Sequence, residues 1–232
     1  ALCAEVRANP AQYEAKAAIA GFTAAHGFHP GQCRISSGQL QHSREIEMEY
    51  VRRMHVAGFS MHIHVIGDRA LRTALDAIEA ARAADGVSST HDSLAHVQLA
   101  QPLDVTRMGR DRLYVAYTYS WADVDPDYDM TVIPFLQRVA GNSVASMHGN
   151  DSYYDQHAYP VRASRDAGAI LVAGSDAPID TRDPQPFVNM AMAATRRLPG
   201  QMALNAQQAI SVREALDAYT INGARMLGRD AQ

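Results

Sequence analysis

The fold of this chain is limited most by four short apolar runs. Segments with helical periodicity separate these runs. The runs lie at 59–66, 93–98, 112–119 and 169–176, and each has the composition of a buried strand. The segment at 69–84 instead repeats apolar residues at the helical spacing i, i+3, i+4, i+7. Apolar strands that alternate with amphipathic helices are typical of parallel βαβ units. The pattern therefore predicts an α/β fold built on a parallel sheet.

The remaining segments leave the type of sheet open. A weaker strand is predicted at 33–40, and helices at 10–26, 43–57, 161–167 and from Ser211 onward, where Glu214 completes a capping box. Residues 120–160 are predicted to be an irregular, specificity-setting loop, because loops this long are usually functional. Five strands leave a closed eight-stranded barrel three strands short, and they also fit an open doubly wound sheet. No glycine-rich phosphate loop follows a strand to support the open sheet.

Composition excludes several classes of protein. The chain has 232 residues, of which 47% are apolar, and a formal charge of −4, which fits one domain over 1–232. The mild negative charge argues against a nucleic-acid partner, and no apolar run approaches the ~20 residues of a membrane span. The first residues lack the pattern of a signal peptide. Two cysteines, Cys3 and Cys33, are too few for a disulfide scaffold, so a cytoplasmic location is expected.

Three predicted strands end in residue types that bind metals, namely His64, His96 and Asp176. In a parallel α/β barrel the carboxyl ends of the strands converge, so residues far apart in sequence meet there. Two imidazoles and a carboxylate suit zinc or a similar divalent ion, which can activate water and polarise a carbonyl. Asp176 is the candidate proton acceptor for that water. His96 is expected to hold the metal, or the water and the substrate oxygen.

The same residues resemble the metal-dependent amidohydrolase superfamily. The similar motifs are HVIGDRA at 64–70, AHVQ at 95–98, GSDAP at 174–178 and AYTINGAR at 218–225. Within the superfamily they look like the amidohydrolase 3 branch of exoenzyme-regulatory-like and N-substituted formamide deformylase-like proteins. The resemblance implies a (β/α)8 TIM barrel, incomplete here, with His64, His96 and Asp176 on strands five, six and eight. It also implies hydrolysis of an amide or related C–N bond of a small molecule by a metal-activated water.

The chain departs from that family in two places. The family's first strand carries a His-x-His or similar ligand pair, which no segment before residue 60 supplies. Many members carry on strand four a lysine that becomes carboxylated and bridges two metals, but Gln39 would stand there. The only lysine, Lys16, lies in a predicted helix, so one or two zinc ions would be held without it. We therefore expect residues to be missing before residue 1 and around position 41.

These departures leave a second function open. The alternative is a catalytically incompetent barrel remnant that serves as a binding or structural module. An incomplete barrel would expose strand edges, so a homo-oligomer is expected.

Of five further side chains, three have two possible roles each. Tyr117 and Trp121 lie at and past a strand end, and they either line a substrate pocket or pack in the core. Arg196 either binds an acidic group of the substrate or lies on a solvated helix face. His62 is expected to pack one step deeper than the ligand histidine, and Asp68 to cap the following helix. The GSDAP motif lacks the second glycine of a serine-hydrolase elbow, which excludes that chemistry.

Overall fold

The structure is a computed structural model that describes residues 1–86, 91–149, 151–179 and 182–231. Its strands are β1 (His62–Val65), β2 (Ser93–His96), β3 (Tyr114–Tyr117) and β4 (Ile170–Ala173). Its α-helices are α1 (Leu2–Ala8), α2 (Lys16–His26), α3 (Arg44–Val56), α4 (Asp68–Asp85), α5 (Pro102–Arg110), α6 (Pro126–Leu136), α7 (Val144–Met147), α8 (Tyr153–His157), α9 (Val161–Ala167), α10 (Pro186–Thr195), α11 (Val212–Tyr219) and α12 (Ile221–Met226). Short 3₁₀ turns lie at Pro10–Tyr13, Pro30–Cys33, Tyr119–Trp121 and Ala206–Gln208.

Internal contacts divide the chain into two compact units. One unit comprises Ala1–Gly38 and Val124–Gln156, and it is helical; the other comprises Gln39–Asp123 and His157–Gln232, and it carries the sheet. The expectation of one hydrolase domain over 1–232 stays a prediction. Among the described residues, no helix is both long enough and apolar enough to cross a membrane.

The sheet confirms the four clear strands that the sequence predicts. All neighbours are parallel, and the spatial order β1-β2-β3-β4 follows the order of the chain. A doubly wound sheet reverses its strand order at a switch point, and no reversal occurs within this sheet. The weak strand at 33–40 is wrong. A 3₁₀ turn at Pro30–Cys33 precedes it, fixed where His29 Nδ1 accepts a hydrogen bond of 2.9 Å from the Gly31 amide.

Helix α4 covers the sheet with the apolar stripe that its periodicity predicts. Its Leu71, Leu75 and Ile78 are fully buried, and full burial contributes about 1.5–3 kcal/mol per side chain. Strand β2 is buried along its whole length, whereas β1 leaves His62 exposed. The expectation that His62 packs in the core is therefore wrong. Among the described strands β1 pairs only with β2, and His62 Nδ1 lies 2.6 Å from the Ser93 hydroxyl.

A buried carboxylate ties the amino ends of β1 and β2 to the helices. Asp92 is fully buried and accepts hydrogen bonds from the Met61 amide at 2.9 Å and from Arg82 at 2.8 Å. His55 Nε2 of α3 lies 3.0 Å from the same carboxylate. A buried charge is tolerated only with such partners, so Asp92 holds the two strands in the register that aligns their carboxyl ends.

The helical unit corrects two expectations. Residues 120–160 are not an irregular loop, because Asp125 accepts hydrogen bonds from the first free amides of α6, and α7 and α8 follow. Cys3 and Cys33 form a disulfide, whereas the cysteine count favoured a reducing compartment. The disulfide lies beside a small apolar core that includes Val6 and Phe22. The cytoplasmic location stays a prediction.

The predicted last helix is confirmed at its start and interrupted near its middle. The Ser211 hydroxyl and the Glu214 carboxylate form the expected capping box. The helix then ends at Tyr219, and α12 begins at Ile221. At the break, the Thr220 hydroxyl donates to the Leu216 carbonyl at 2.7 Å, a local bond that competes with regular helix geometry.

Candidate active site

Two histidines meet at the carboxyl edge of the sheet. His64 lies near the end of β1, and His96 ends the neighbouring parallel strand β2, where it pairs with Val65. The two imidazoles pack edge to face, with ring centroids 4.6 Å apart and planes inclined by 68°. The structure therefore brings together the first two ligand-type residues that the sequence predicts.

The His96 ring is held from two more directions. It is only 5% exposed, and its Nδ1 lies 3.0 Å from the hydroxyl of buried Thr118. Trp121 stacks on the ring at 4.7 Å between centroids, with the planes 15° apart. Sequence reasoning considered Trp121 only as a pocket or core residue, and it missed Thr118. The position of Thr118 could have indicated its contact with His96, because Thr118 follows β3 directly and β3 neighbours β2 in the sheet.

Three residues other than glycine at this edge have left-handed backbone. His96 and Val97 have φ of 72° and 44°, and Asp176 has φ of 55°. Residues other than glycine lose about 1–3 kcal/mol each in such conformations, and strain of this kind clusters at functional sites. The unusual geometry at the ends of β2 and β4 therefore agrees with a site at this edge.

The third predicted ligand is not gathered with the histidines. Asp176 is partly buried in the loop after β4, and no group of three or more His, Cys, Asp or Glu among the described residues is arranged to hold a metal. These residues therefore fit a metal only in part, through the His64 and His96 imidazoles. We derive no reaction step through a metal, and the roles of these three residues stay predictions.

Asp68 does not cap α4 as expected. Gly67 is the N-cap residue, and Asp68 lies in the first helical turn, where a carboxylate still interacts favourably with the helix dipole. Its Oδ2 accepts a hydrogen bond of 3.2 Å from the Gln101 side chain.

Tyr117 and Arg196, two candidate substrate contacts, lie in the core. Tyr117 is fully buried, its hydroxyl lies 2.8 Å from the Ser164 hydroxyl of α9, and burial raises the pKa of its phenol. Arg196 is also fully buried, and its Nε donates to the Leu204 carbonyl at 3.0 Å. The alternative that Arg196 lies on a solvated helix face is therefore wrong. For Tyr117 these contacts favour the packing alternative, and no described contact links either side chain to the histidine pair.

A cavity of about 400 Å³ lies beside β1, and His64 is the residue of the histidine pair that lines it. His62 and His64 line one side, and Tyr50 of α3 lines another. Gln39 also lines this cavity, together with His64. Its expected match to the family's lysine depended on a strand at 33–40, which the structure does not form. A larger cavity of about 550 Å³ lies at the opposite edge of the sheet, where Tyr114 and Ile170 begin β3 and β4, away from the histidines.

Comparison with known proteins places this geometry in a family. Residues 11–232 match the family model described as "Amidohydrolase family". The chain belongs to the amidohydrolase family. This match confirms the resemblance that the ordered motifs indicate.

Individual relatives agree with the family assignment. The chain is 28% identical over 204 residues to an N-substituted formamide deformylase of Arthrobacter pascens, covering 88% of this chain and 34% of that protein. It is 28% identical over 171 residues to Protein LONG AFTER FAR-RED 3 of Arabidopsis thaliana, covering 73% and 26%. The chain thus spans about a third of the length of the curated relatives it matches.

A solved structure supports the fold. A crystal structure described as an uncharacterized metal-dependent hydrolase from Pyrococcus horikoshii OT3 superposes with a TM-score of 0.63 at 21% identity. The superposition covers 87% of this chain and 35% of that one. At this identity the similarity shows a shared fold and no more.

Proposed function

We propose that this chain supplies part of the active site of a metal-dependent hydrolase that cleaves an amide or related C–N bond of a small molecule. The observation that carries the proposal is the His64–His96 pair at the carboxyl edge of a parallel sheet, with ring centroids 4.6 Å apart. Ligand sites of parallel α/β folds lie at this edge. Family membership supports hydrolysis, and the name of the Arthrobacter pascens relative supports a C–N bond.

The proposal includes a (β/α)8 barrel in which β1 to β4 are the last four strands. Their strictly sequential parallel order is the order of strands in such a barrel. The structural similarity to the Pyrococcus horikoshii protein supports the same fold.

The proposed roles follow from residue chemistry. His64 and His96 would hold a divalent ion, for which zinc is our choice because neutral imidazole is a preferred zinc ligand. The bound ion would supply an activated water. Asp176, at the same edge of the sheet, would serve as the proton acceptor.

Zinc titration of the whole chain tests this proposal. Trp121 is the only tryptophan, so its fluorescence reports on the His96 ring that it stacks against. We expect a saturable change in fluorescence with zinc. His64→Ala and His96→Ala should each weaken zinc affinity by more than about tenfold, since even outer-shell partners of metal sites contribute this much.

The matched control is His26→Ala, which removes an exposed histidine of the helical unit and should leave zinc affinity unchanged. Protein purified without chelators should also contain zinc by elemental analysis. Absence of metal together with a wild-type response from His64→Ala would contradict the proposal.

The alternative, a barrel remnant that binds without catalysis, is less favoured because the chain matches a hydrolase family over nearly its whole length. The observation that supports this alternative is the incomplete set of metal ligands among the described residues. Release of amine from a panel of simple secondary amides by the zinc-loaded protein, abolished by Asp176→Asn, would exclude it.

A further inference from the structure

The cavity beside β1 has an unusual balance of charge. Its apolar lining includes Tyr50, Met61 and Ile63, which suits an apolar substituent. Glu47 is the only carboxylate among the described residues that line it, and none of those residues is a lysine or an arginine. A carboxylate brought into this cavity therefore meets the negative charge of Glu47 and no lysine or arginine of the lining, whose basic residues are His42, His62 and His64.

The basic residues of α3 are directed elsewhere. Arg44 pairs with Asp76 at 3.0 Å, while Arg52 and Arg53 both pair with Glu49 at 2.7 Å. These ion pairs engage the guanidinium groups of α3 with carboxylates that do not line the cavity.

Ionising the Glu47 carboxyl costs free energy, and a bound ligand can change that cost. It is partly buried, and burial raises the pKa of its carboxyl, while the nearby His42 lowers it. A second carboxylate brought close would increase the cost of charging Glu47, because like charges repel more strongly where water is excluded. A neutral group, or one that donates hydrogen bonds, would not.

We propose that this cavity holds the apolar substituent of the substrate and that Glu47 selects uncharged or cationic amides against amides that carry a carboxylate. The inference rests on the proposed hydrolase function, since His64 lines the same cavity. A cation held at His64 would itself attract a carboxylate, so the contribution of Glu47 is measured in the absence of metal.

Binding without metal tests this inference separately from hydrolysis. N-benzylacetamide and N-acetylphenylglycine differ by one carboxylate on the benzylic carbon. Each is titrated into the whole chain in the presence of a chelator, and the imidazole Cε1–H signals of His62 and His64 are followed by NMR. We expect both signals to shift and the neutral amide to bind about tenfold more tightly, the effect of one like-charge contact at the protein surface.

Variants on α3 test whether Glu47 causes the preference for the neutral amide. Glu47→Gln should reduce the preference to within about twofold, and Glu47→Lys should reverse it, as expected when one local charge sets the discrimination. Glu45→Gln is the matched control, because Glu45 lies in the first turn of the same helix, is exposed and does not line the cavity. It should retain the wild-type preference.

Three results would overturn the inference: no shift of the His62 or His64 signals with either amide, equal affinities in the wild-type chain, or an unchanged preference in Glu47→Gln. Zinc binding with no amide selectivity would contradict this inference and leave the hydrolase proposal intact. Amide selectivity without zinc binding would contradict the proposed metal site and leave this inference intact.

Discussion

At the scale of single residues, the surroundings of a side chain decide whether it serves a site or the core. The motifs around His64 and His96 indicate their roles, because each lies at the end of an apolar run. The contacts of Thr118 and Trp121 with His96 join residues more than twenty positions apart, and they depend on how β2 and β3 pair. No local pattern contains that information.

Thr118 is expected to select the tautomer of His96. A histidine that binds a metal generally donates its other N–H to a fixed acceptor, and the Thr118 hydroxyl lies 3.0 Å from Nδ1. Thr118→Val should remove the preference for the Nδ1–H tautomer, seen in long-range ¹⁵N NMR spectra, and cost about 1 kcal/mol of stability. Thr118→Ser keeps a hydroxyl and should restore the tautomer. An unchanged ¹⁵N pattern in Thr118→Val would contradict this role.

At the scale of elements, α5 and α9 pack so closely that one glycine is required between them. A Cβ added at Gly109 would collide with the backbone carbonyl of Ala167, which cannot move without α9. Gly109→Ala should therefore destabilise the sheet-bearing unit by about 2 kcal/mol in urea unfolding, the usual cost of overpacking. Gly174→Ala is the control, since no atom lies within 4 Å of a Cβ there. Equal stability of the two variants would show that the helices can separate at little cost.

A buried histidine holds the helical unit together. His148 Nε2 lies 2.9 Å from Asp129 of α6, and its Nδ1 lies 2.7 Å from Asp155 of α8. Burial disfavours the His148 cation, but the hydrogen bonds to Asp129 and Asp155 outweigh it and raise the pKa to about 9. These two hydrogen bonds together therefore require the protonated imidazole, which can donate from both nitrogens.

The stability of this unit should fall in mild alkali. The pKa of His148 is about 9 in the folded chain and about 6.5 in an unfolded one, so its contribution is complete below pH ~6.5 and is lost as pH rises through 9. The loss should be of order 1–3 kcal/mol. Hydrogen exchange of amides in 126–136, corrected for intrinsic rates, measures it between pH 6 and 9.5. His148→Gln should lose this dependence, and an equal slope in that variant would assign the effect to other groups.

At the scale of the whole molecule, β1 and β4 each pair with one strand in the described part of the chain. Unpaired strand edges favour association, so we propose that the chain forms a homo-oligomer. Light scattering should give a mass above 25.3 kDa that increases with concentration. A mass of 25.3 kDa at every concentration would contradict the proposal.

The sequence predicts the four parallel strands, the helices α3, α4 and α9, and the family, because strand and helix periods and strand-end motifs are local patterns. It missed α6, whose start depends on the Asp125 side chain, and it wrongly predicted a strand at 33–40. Tertiary contacts alone place the His64 ring edge to face against His96, stack Trp121 on His96 and bury Arg196. Strand register and helix packing set these outcomes, and both arise from contacts between segments far apart in the chain.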